Sequence, residues 1–346
     1  MRAAFLDGAE EITVREVRPD RTEGHLVEID VIACGICGSD LHRWRHPDMI
    51  VGQIEPSIPG MAGHEVVARA PRTDGGGHRR VVVEPNLAGN CGKCPACLSG
   101  KALFCSDRAA LRSWGFSERM SVNGSSLFDV PDGMADELAS LTEPLACAVH
   151  AFRASHTFAA QDGTLAGRRI AVIGAGAIGL LAIAAAARLG AEALLCVARY
   201  PRQAAAAEAL GAIDVLDPVV DDVVSEIRGF APDVVVEAVG GGPETFDLAV
   251  RTVNPGGEVL VLGLFDDPTH LDTRRAAFRE LRLFFSMTYG VIDGRHDFEV
   301  ALEFLESDPG AFGGLVSHRF PLEETADAFV AAADKSTGAL RVVVAP

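Results

Sequence analysis

RRIAVIGAGAIG, residues 168–179, decides the architecture of this chain. The apolar run Ile170–Ile173 leads into Gly174-x-Gly176-x-x-Gly179, with Ala177 and Ile178 between the last two glycines and an Ala-rich stretch beyond. These glycines permit a tight turn, close approach of a pyrophosphate to the backbone, and close packing of the following helix, whose N-terminus faces the phosphates. Glycines alone are weak evidence, but here the required strand and helix flank them.

Downstream the rhythm continues as strand, helix, strand: ALLCVA (193–198), DVVVEAV (233–239), GEVLVLGL (257–264) and LRLFFSM (281–287), with helical segments between. Continuous apolar strands alternating with helices are what a parallel sheet covered on both faces requires, so residues 148–288 are expected to form a doubly wound α/β domain. Upstream, residues 1–147 read differently. Short β-branched runs such as MRAAFLD (1–7), EITVREV (11–17), HEVVARA (64–70) and RRVVVEP (79–85) are separated by Gly, Pro and Asp clusters, the pattern of a small β-rich domain. Residues 289–346 carry two amphipathic helices, 296–307 and 322–333, and a last strand, 340–345. They do not extend the alternation and are assigned back to the first domain.

The 346 residues are 48% hydrophobic and carry 31 basic against 48 acidic side chains, a formal charge of −17. That charge repels phosphate backbones and anionic lipid, which argues against nucleic acid and membrane as partners. The apolar stretch around Leu180–Ala187 is far shorter than the roughly 20 residues of a bilayer span. With acids inside its first dozen residues, the N-terminus lacks the pattern of a secretory signal, and the cytoplasm is the expected location.

Eight cysteines in a cytosolic chain call for a metal or redox explanation before a disulfide one. Residues 90–105, NCGKCPACLSGKALFC, hold Cys91, Cys94, Cys97 and Cys105 as Cx2Cx2Cx7C. Four thiolates on a tight loop match a closed tetrahedral zinc site that stabilises the fold without an open position for substrate. An iron–sulfur cluster is the alternative this spacing leaves open. Elsewhere CGICGSDLH (34–42) and GHE (63–65) offer Cys37 and His64 as ligands, while Cys34-x-x-Cys37 mimics a redox motif without the surrounding elements one needs.

In this order, CGICGSDLH, GHE, the four-cysteine loop and GAGAIG resemble the zinc-containing medium-chain dehydrogenase/reductase family over essentially the whole chain. The resemblance implies a GroES-like catalytic domain joined to a Rossmann cofactor domain, and two zinc ions, one catalytic and one structural. It also implies that Cys37 and His64 bind the catalytic zinc. Thr142-Glu143-Pro144-Leu145 is similar to the EPL segment of the polyol, threonine and glucose dehydrogenase branch, which makes Glu143 the third ligand ahead of nearby Cys147. Glu65 is the other carboxylate that reaches the metal in that branch. Such a ligand set keeps a fourth position for substrate oxygen, where zinc acts as a Lewis acid. Ser39 and His42 resemble the family's proton relay, and Asp40 is expected to orient His64.

An acid about 20 residues beyond the glycines would grip the ribose hydroxyls of NAD. The chain has Ala198 there, followed by Arg199 and Arg202, which can supply charge-assisted hydrogen bonds to a 2′-phosphate. NADP(H) is therefore expected over NAD(H). The family resemblance also sets Leu262, Gly263 and Leu264 beside the nicotinamide, and makes Arg341 either a cation for the pyrophosphate or a surface salt-bridge partner. The expected substrate is a small secondary alcohol or its ketone, on a polyol, sugar or cyclitol, with amino alcohols as competitors. The expected assembly is a homo-oligomer, tetramer or dimer. A zinc- and nucleotide-binding homologue without catalysis, and a metal-independent reductase, are the other readings.

Overall fold

The computed structural model describes residues 1–18, 26–47, 62–108 and 114–346. They fall into two compact units, Met1–Glu143 with Asp293–Pro346, and Pro144–Ile292. No helix among the described residues is long and apolar enough to cross a membrane.

The first unit opens with a hairpin of β1 (Arg2–Gly8) and β2 (Glu11–Glu16). The long strand β3 (Leu26–Gly35) follows and runs through Ile36 and Cys37 into α1 (Gly38–Arg45). That helix is capped by its own sequence, because Asp40 at the third helical position accepts a 2.9 Å hydrogen bond from the Cys37 N–H. Next come β4 (Glu65–Pro71), β5 (His78–Val83), the single turn α2 (Pro85–Ala88), β6 (Arg119–Asn123) and β7 (Leu127–Asp129). β4 lies antiparallel to β3 with Gly35 opposite Glu65, a register that decides the geometry of the site. β6 pairs with the first half of β3, leaving its second half free for another strand.

The helix α3 (Thr142–Arg153) begins at the end of the first unit's chain and leads into the second, which continues with β8 (Arg169–Ile173), α4 (Ala177–Arg188), β9 (Ala193–Val197), α5 (Pro201–Ala209), β10 (Asp214–Leu216) and α6 (Val223–Phe230). After these come β11 (Val234–Glu237), α7 (Glu244–Thr252), β12 (Glu258–Val261), α8 (Thr273–Phe278) and β13 (Arg282–Phe285). The six strands are parallel in the order β10-β9-β8-β11-β12-β13, the doubly wound arrangement whose order reverses beside the first strand. Every residue of β9, β11 and β12 is buried, as strands covered on both faces must be.

The chain then returns to the first unit with α9 (Asp297–Ser307), β14 (Val316–Pro321), α10 (Thr325–Ala333) and β15 (Arg341–Ala345). β15 fills the vacant half of β3, with Val343 opposite Gly35 and Val344 opposite Cys34. β14 adds on beyond it, giving a seven-stranded sheet. α10 closes the core over this sheet. Its Phe329, fully buried, meets Phe116 edge-on at 5.4 Å and Trp44 at 5.8 Å between ring centroids. Truncating a buried phenylalanine removes its transfer energy and leaves a cavity, about 3–5 kcal/mol together. Phe329→Ala should lower stability by about that amount in denaturant unfolding. A loss below about 1 kcal/mol would show that α10 docks without this anchor.

Candidate active site

Because Gly35 faces Glu65 across β3 and β4, the residues just after the one and just before the other converge. Cys37 Sγ, a ring nitrogen of His64 and a carboxylate oxygen of Glu65 all lie within 4.8 Å of one another. Asp40 organises this cluster from α1. Its carboxylate accepts from the Cys37 N–H at 2.9 Å and the Gly63 N–H at 3.4 Å, and stands 3.6 Å from His64 Nδ1. Burial pushes the His64 imidazolium toward deprotonation, but Asp40 and Cys37 outweigh it and hold the pKa well above the usual histidine value. Burial likewise opposes ionisation of Cys37, and the His64 charge overcomes it to lower that thiol. The cluster thus favours a thiolate, the form a cation binds.

Glu65 is fully buried, and its Oε1 has no hydrogen-bond partner. Its carboxylate forms an ion pair with Arg341, whose Nη1 also donates to the Ile36 carbonyl at 3.1 Å. Arg341 is therefore buried beneath the cluster, not exposed on the surface, because β15 lies directly against β3. A Cβ at position 35 would collide with both the Glu65 carboxylate and the Arg341 guanidinium, so the first glycine of CGICG is what lets the pair form. Glu143, buried at the start of α3, lies outside the group of three, though its charge acts on both Cys34 and Cys37. Cys147 is half-buried one turn onward and is not in the group either. Cys34 is fully buried, donates to the Gly35 carbonyl at 3.5 Å, and is driven by burial well above the usual thiol pKa, so it stays protonated. Ser39 and His42, both half-buried, are three residues apart on α1 and so share one face.

The second donor set is Cys91, Cys94, Cys97 and Cys105, again with all four sulfurs within 4.8 Å. The surrounding backbone and side chains donate into it. The Cys91 N–H reaches Cys105 Sγ at 3.3 Å, and Asn90 Nδ2 reaches Cys97 Sγ at 3.6 Å. Backbone donors from Cys97 and Ser106 pull Cys94 down to about 6. Arg108 fastens the loop to α2 through the carbonyls of Asn86, Ala102 and Leu103 at 2.7, 2.5 and 3.2 Å. Four converging thiols with N–H···S support are the donor set of a closed tetrahedral metal site.

In the second unit, Gly174 turns at φ +102° where β8 ends, and Gly176 caps α4. Gly176, Ala177 and Ile178 are half-exposed, so the helix N-terminus is accessible to an anion. Gly179 is buried against the turn, where a Cβ would collide with the Gly174 carbonyl oxygen. Ala198 is buried after β9, while Arg199 and Arg202 are exposed and neither pairs with a carboxylate among the described residues. Arg199 lies 5.8 Å from the centre of the Tyr200 ring. Leu262 and Gly263 are half-exposed and Leu264 is exposed beyond β12.

Comparison with known proteins agrees with this geometry. Residues 23–132 match the alcohol dehydrogenase GroES-like domain, and residues 177–307 match the zinc-binding dehydrogenase domain. The chain is 30% identical over 330 residues to L-threonine 3-dehydrogenase of Pyrococcus abyssi, covering 90% of this chain and 88% of that one. It belongs to the zinc-dependent medium-chain dehydrogenase family. Sorbitol dehydrogenase of Bacillus subtilis is 28% identical over 359 residues, covering 100% of this chain and 97% of the relative. Among solved structures, one from Sinorhizobium meliloti described as a zinc-binding dehydrogenase bound to NADP superposes with a TM-score of 0.83 at 28% identity, covering 100% of this chain and 99% of that one.

One residue that organises the cofactor unit of this dehydrogenase escaped the sequence reading. Glu237 ends β11 fully buried, and its Oε1 accepts from the Val239 and Gly240 N–H groups at 2.9 Å each and from Thr245 Oγ1 at 2.8 Å. Its carbonyl accepts from Leu262 and Gly263, and Gly241 N–H donates to the Leu264 carbonyl at 2.7 Å. One side chain thus holds the loop after β11, and its backbone binds the loop after β12. The signal was an acid inside the apolar run DVVVEAV, next to three glycines. Each buried donor left without an acceptor costs about 1–3 kcal/mol. Glu237→Ala should destabilise the protein by at least that much, with amide exchange accelerated at Val239 and Gly240, and Glu237→Gln should recover part of the loss. Unchanged exchange at those amides in Glu237→Ala would remove this role.

Proposed function

We propose that this dehydrogenase transfers hydride reversibly between a secondary alcohol, borne on a polyol, sugar or cyclitol, and NADP(H). The observation that carries the reading is the cluster of Cys37, His64 and the buried Glu65, in a chain that also presents the Gly174 turn. The thiol, imidazole and unpartnered carboxylate oxygen suit a catalytic zinc with one position left open. When bound, the zinc supplies a Lewis acid for the reacting oxygen.

The protein's own groups do the rest. Asp40 keeps His64 oriented and Cys37 in place through the contacts described above. Ser39 and His42, on one face of α1, pass the proton released from the substrate hydroxyl toward solvent. Glu143 is the carboxylate that can replace Glu65 as the cluster's oxygen donor. Cys91, Cys94, Cys97 and Cys105 hold a structural zinc that fixes the loop.

The N-terminus of α4 receives the cofactor pyrophosphate, and Gly179 keeps the helix close enough to the turn for its N–H groups to do so. At the end of β9 the buried Ala198 offers no acceptor to a ribose hydroxyl, and the two exposed guanidiniums of Arg199 and Arg202 favour a 2′-phosphate. A charge-assisted hydrogen bond contributes about 1.5–3 kcal/mol, or roughly tenfold and upward in affinity.

A panel of polyols, sugars, cyclitols and amino alcohols, followed by nicotinamide absorbance with both cofactors, tests the reading. Turnover of a polyol or cyclitol with kcat/KM at least about tenfold higher for NADP than NAD is expected, and Arg199→Asp should reverse that ratio. Turnover confined to amino alcohols, or a wild-type preference for NAD, would overturn the substrate or the cofactor assignment respectively. Metal analysis should give two zinc ions per chain, falling to one in Cys37→Ala and Glu65→Gln and staying at two in Glu143→Gln. Loss of zinc in Glu143→Gln with retention in Glu65→Gln would make Glu143 the resting ligand.

A further inference from the structure

A cavity of about 380 Å³ in the second unit is lined by Arg228, Asp272, Arg274, Arg275, Phe278 and Arg279. Four guanidiniums meet one carboxylate there, in a chain whose formal charge is −17. The carboxylate is already committed. Asp272 caps α8 by accepting from the Arg275 N–H at 2.9 Å, and its other oxygen stands 3.8 Å from Arg275 Nε.

The hydrogen bonds and ring contact of the remaining arginines are to neutral groups. Arg228 Nε donates to the Arg251 carbonyl at 3.2 Å, and Arg279 Nη2 donates to the Val253 carbonyl at 2.6 Å. Arg279 Nε is buried with no hydrogen-bond partner. Arg274 lies 5.7 Å from the centre of the Phe278 ring, and that ring is 81% exposed. Backbone carbonyls orient Arg228 and Arg279, and although Arg228 also acts on the Asp222 carboxylate, four guanidiniums against two carboxylates leave a net positive charge, which an oxyanion with several acceptor oxygens meets through parallel N–H···O pairs.

The location separates this cavity from the cofactor turn. Arg228 and Arg279 fasten to the chain at the end of α7 and just after it, and the Gly256 N–H donates to the Arg279 carbonyl at 2.7 Å, immediately before β12. These contacts lie at the amino ends of the parallel strands. Gly174, Arg199 and Gly263 all follow the carboxyl ends of theirs.

We propose that this cavity is a second anion site, which takes a small phosphorylated ligand through Arg228, Arg274, Arg275 and Arg279. The proposal is independent of which cofactor and alcohol the enzyme uses. Inorganic pyrophosphate is the probe, titrated calorimetrically into the full chain. Wild-type protein and Gly176→Asp, which sets a carboxylate at the N-terminus of α4 where a side chain has space, should bind it saturably at the cavity with the same affinity. Arg274→Gln/Arg275→Gln should weaken binding at least tenfold, as should Arg228→Gln, which alters a different helix, with thermal unfolding reporting that each variant is folded. Equal binding by wild type and both cavity variants would overturn the site, as would the absence of saturable binding in wild type. Loss of binding in Gly176→Asp alone would assign the anion to the cofactor end of the sheet and refute the proposal equally.

Discussion

A buried ion pair, Glu65 with Arg341, holds together the parts of the chain that bring Cys37, His64 and Glu65 into one cluster. Arg341 sits on the last strand, Glu65 begins β4, and Gly35 of β3 lies between them without a side chain. Removing one partner of such a pair strands a charge in the interior and costs about 3–5 kcal/mol, so the two are kept together or lost together. The consequence reaches beyond stability. Glu65 is one of the three donors of the cluster, and the cation beneath it balances part of the negative charge that a thiolate and a carboxylate would otherwise concentrate in a dry site. The return of the C-terminal segment to the first unit thus supplies the counter-charge beneath the cluster.

The two donor sets solve different problems with the same thiol chemistry. Around Cys37 the potential donors lie at the ends of two paired strands and are mixed in type, and Asp40 sets their orientation from the first turn of a helix. Around Cys91 all four donors come from one short loop and are identical, with N–H groups aimed at the sulfurs and Arg108 fastening the loop to α2. A loop with so little apolar content lacks a core of its own, and a closed metal site would replace that core. The mixed site is instead assembled by sheet register, which a local sequence cannot enforce alone.

In the cofactor unit, backbone proximity is the governing constraint. Gly179 lies against the Gly174 carbonyl, and Gly263 lies against Glu237 and Gly240, so the loops at the carboxyl ends of β8, β11 and β12 pack where side chains would not fit. Glu237 then satisfies the N–H groups that such a turn leaves without partners.

The sequence by itself determined what is local or periodic. The parallel sheet followed from apolar strands alternating with helices, and the cofactor turn from glycines at fixed offsets. The four-cysteine site followed from donors so near in sequence that the loop can bring them together without help. Tertiary structure alone decided what depends on strands meeting across long separations. The pairing of β3 with both β4 and β15 selected Glu65 over Glu143 as the carboxylate beside Cys37 and His64, and it buried Arg341 in an ion pair. Register is a property of two strands, set by the faces each must bury, and neither GHE nor LRVVVA carries it alone.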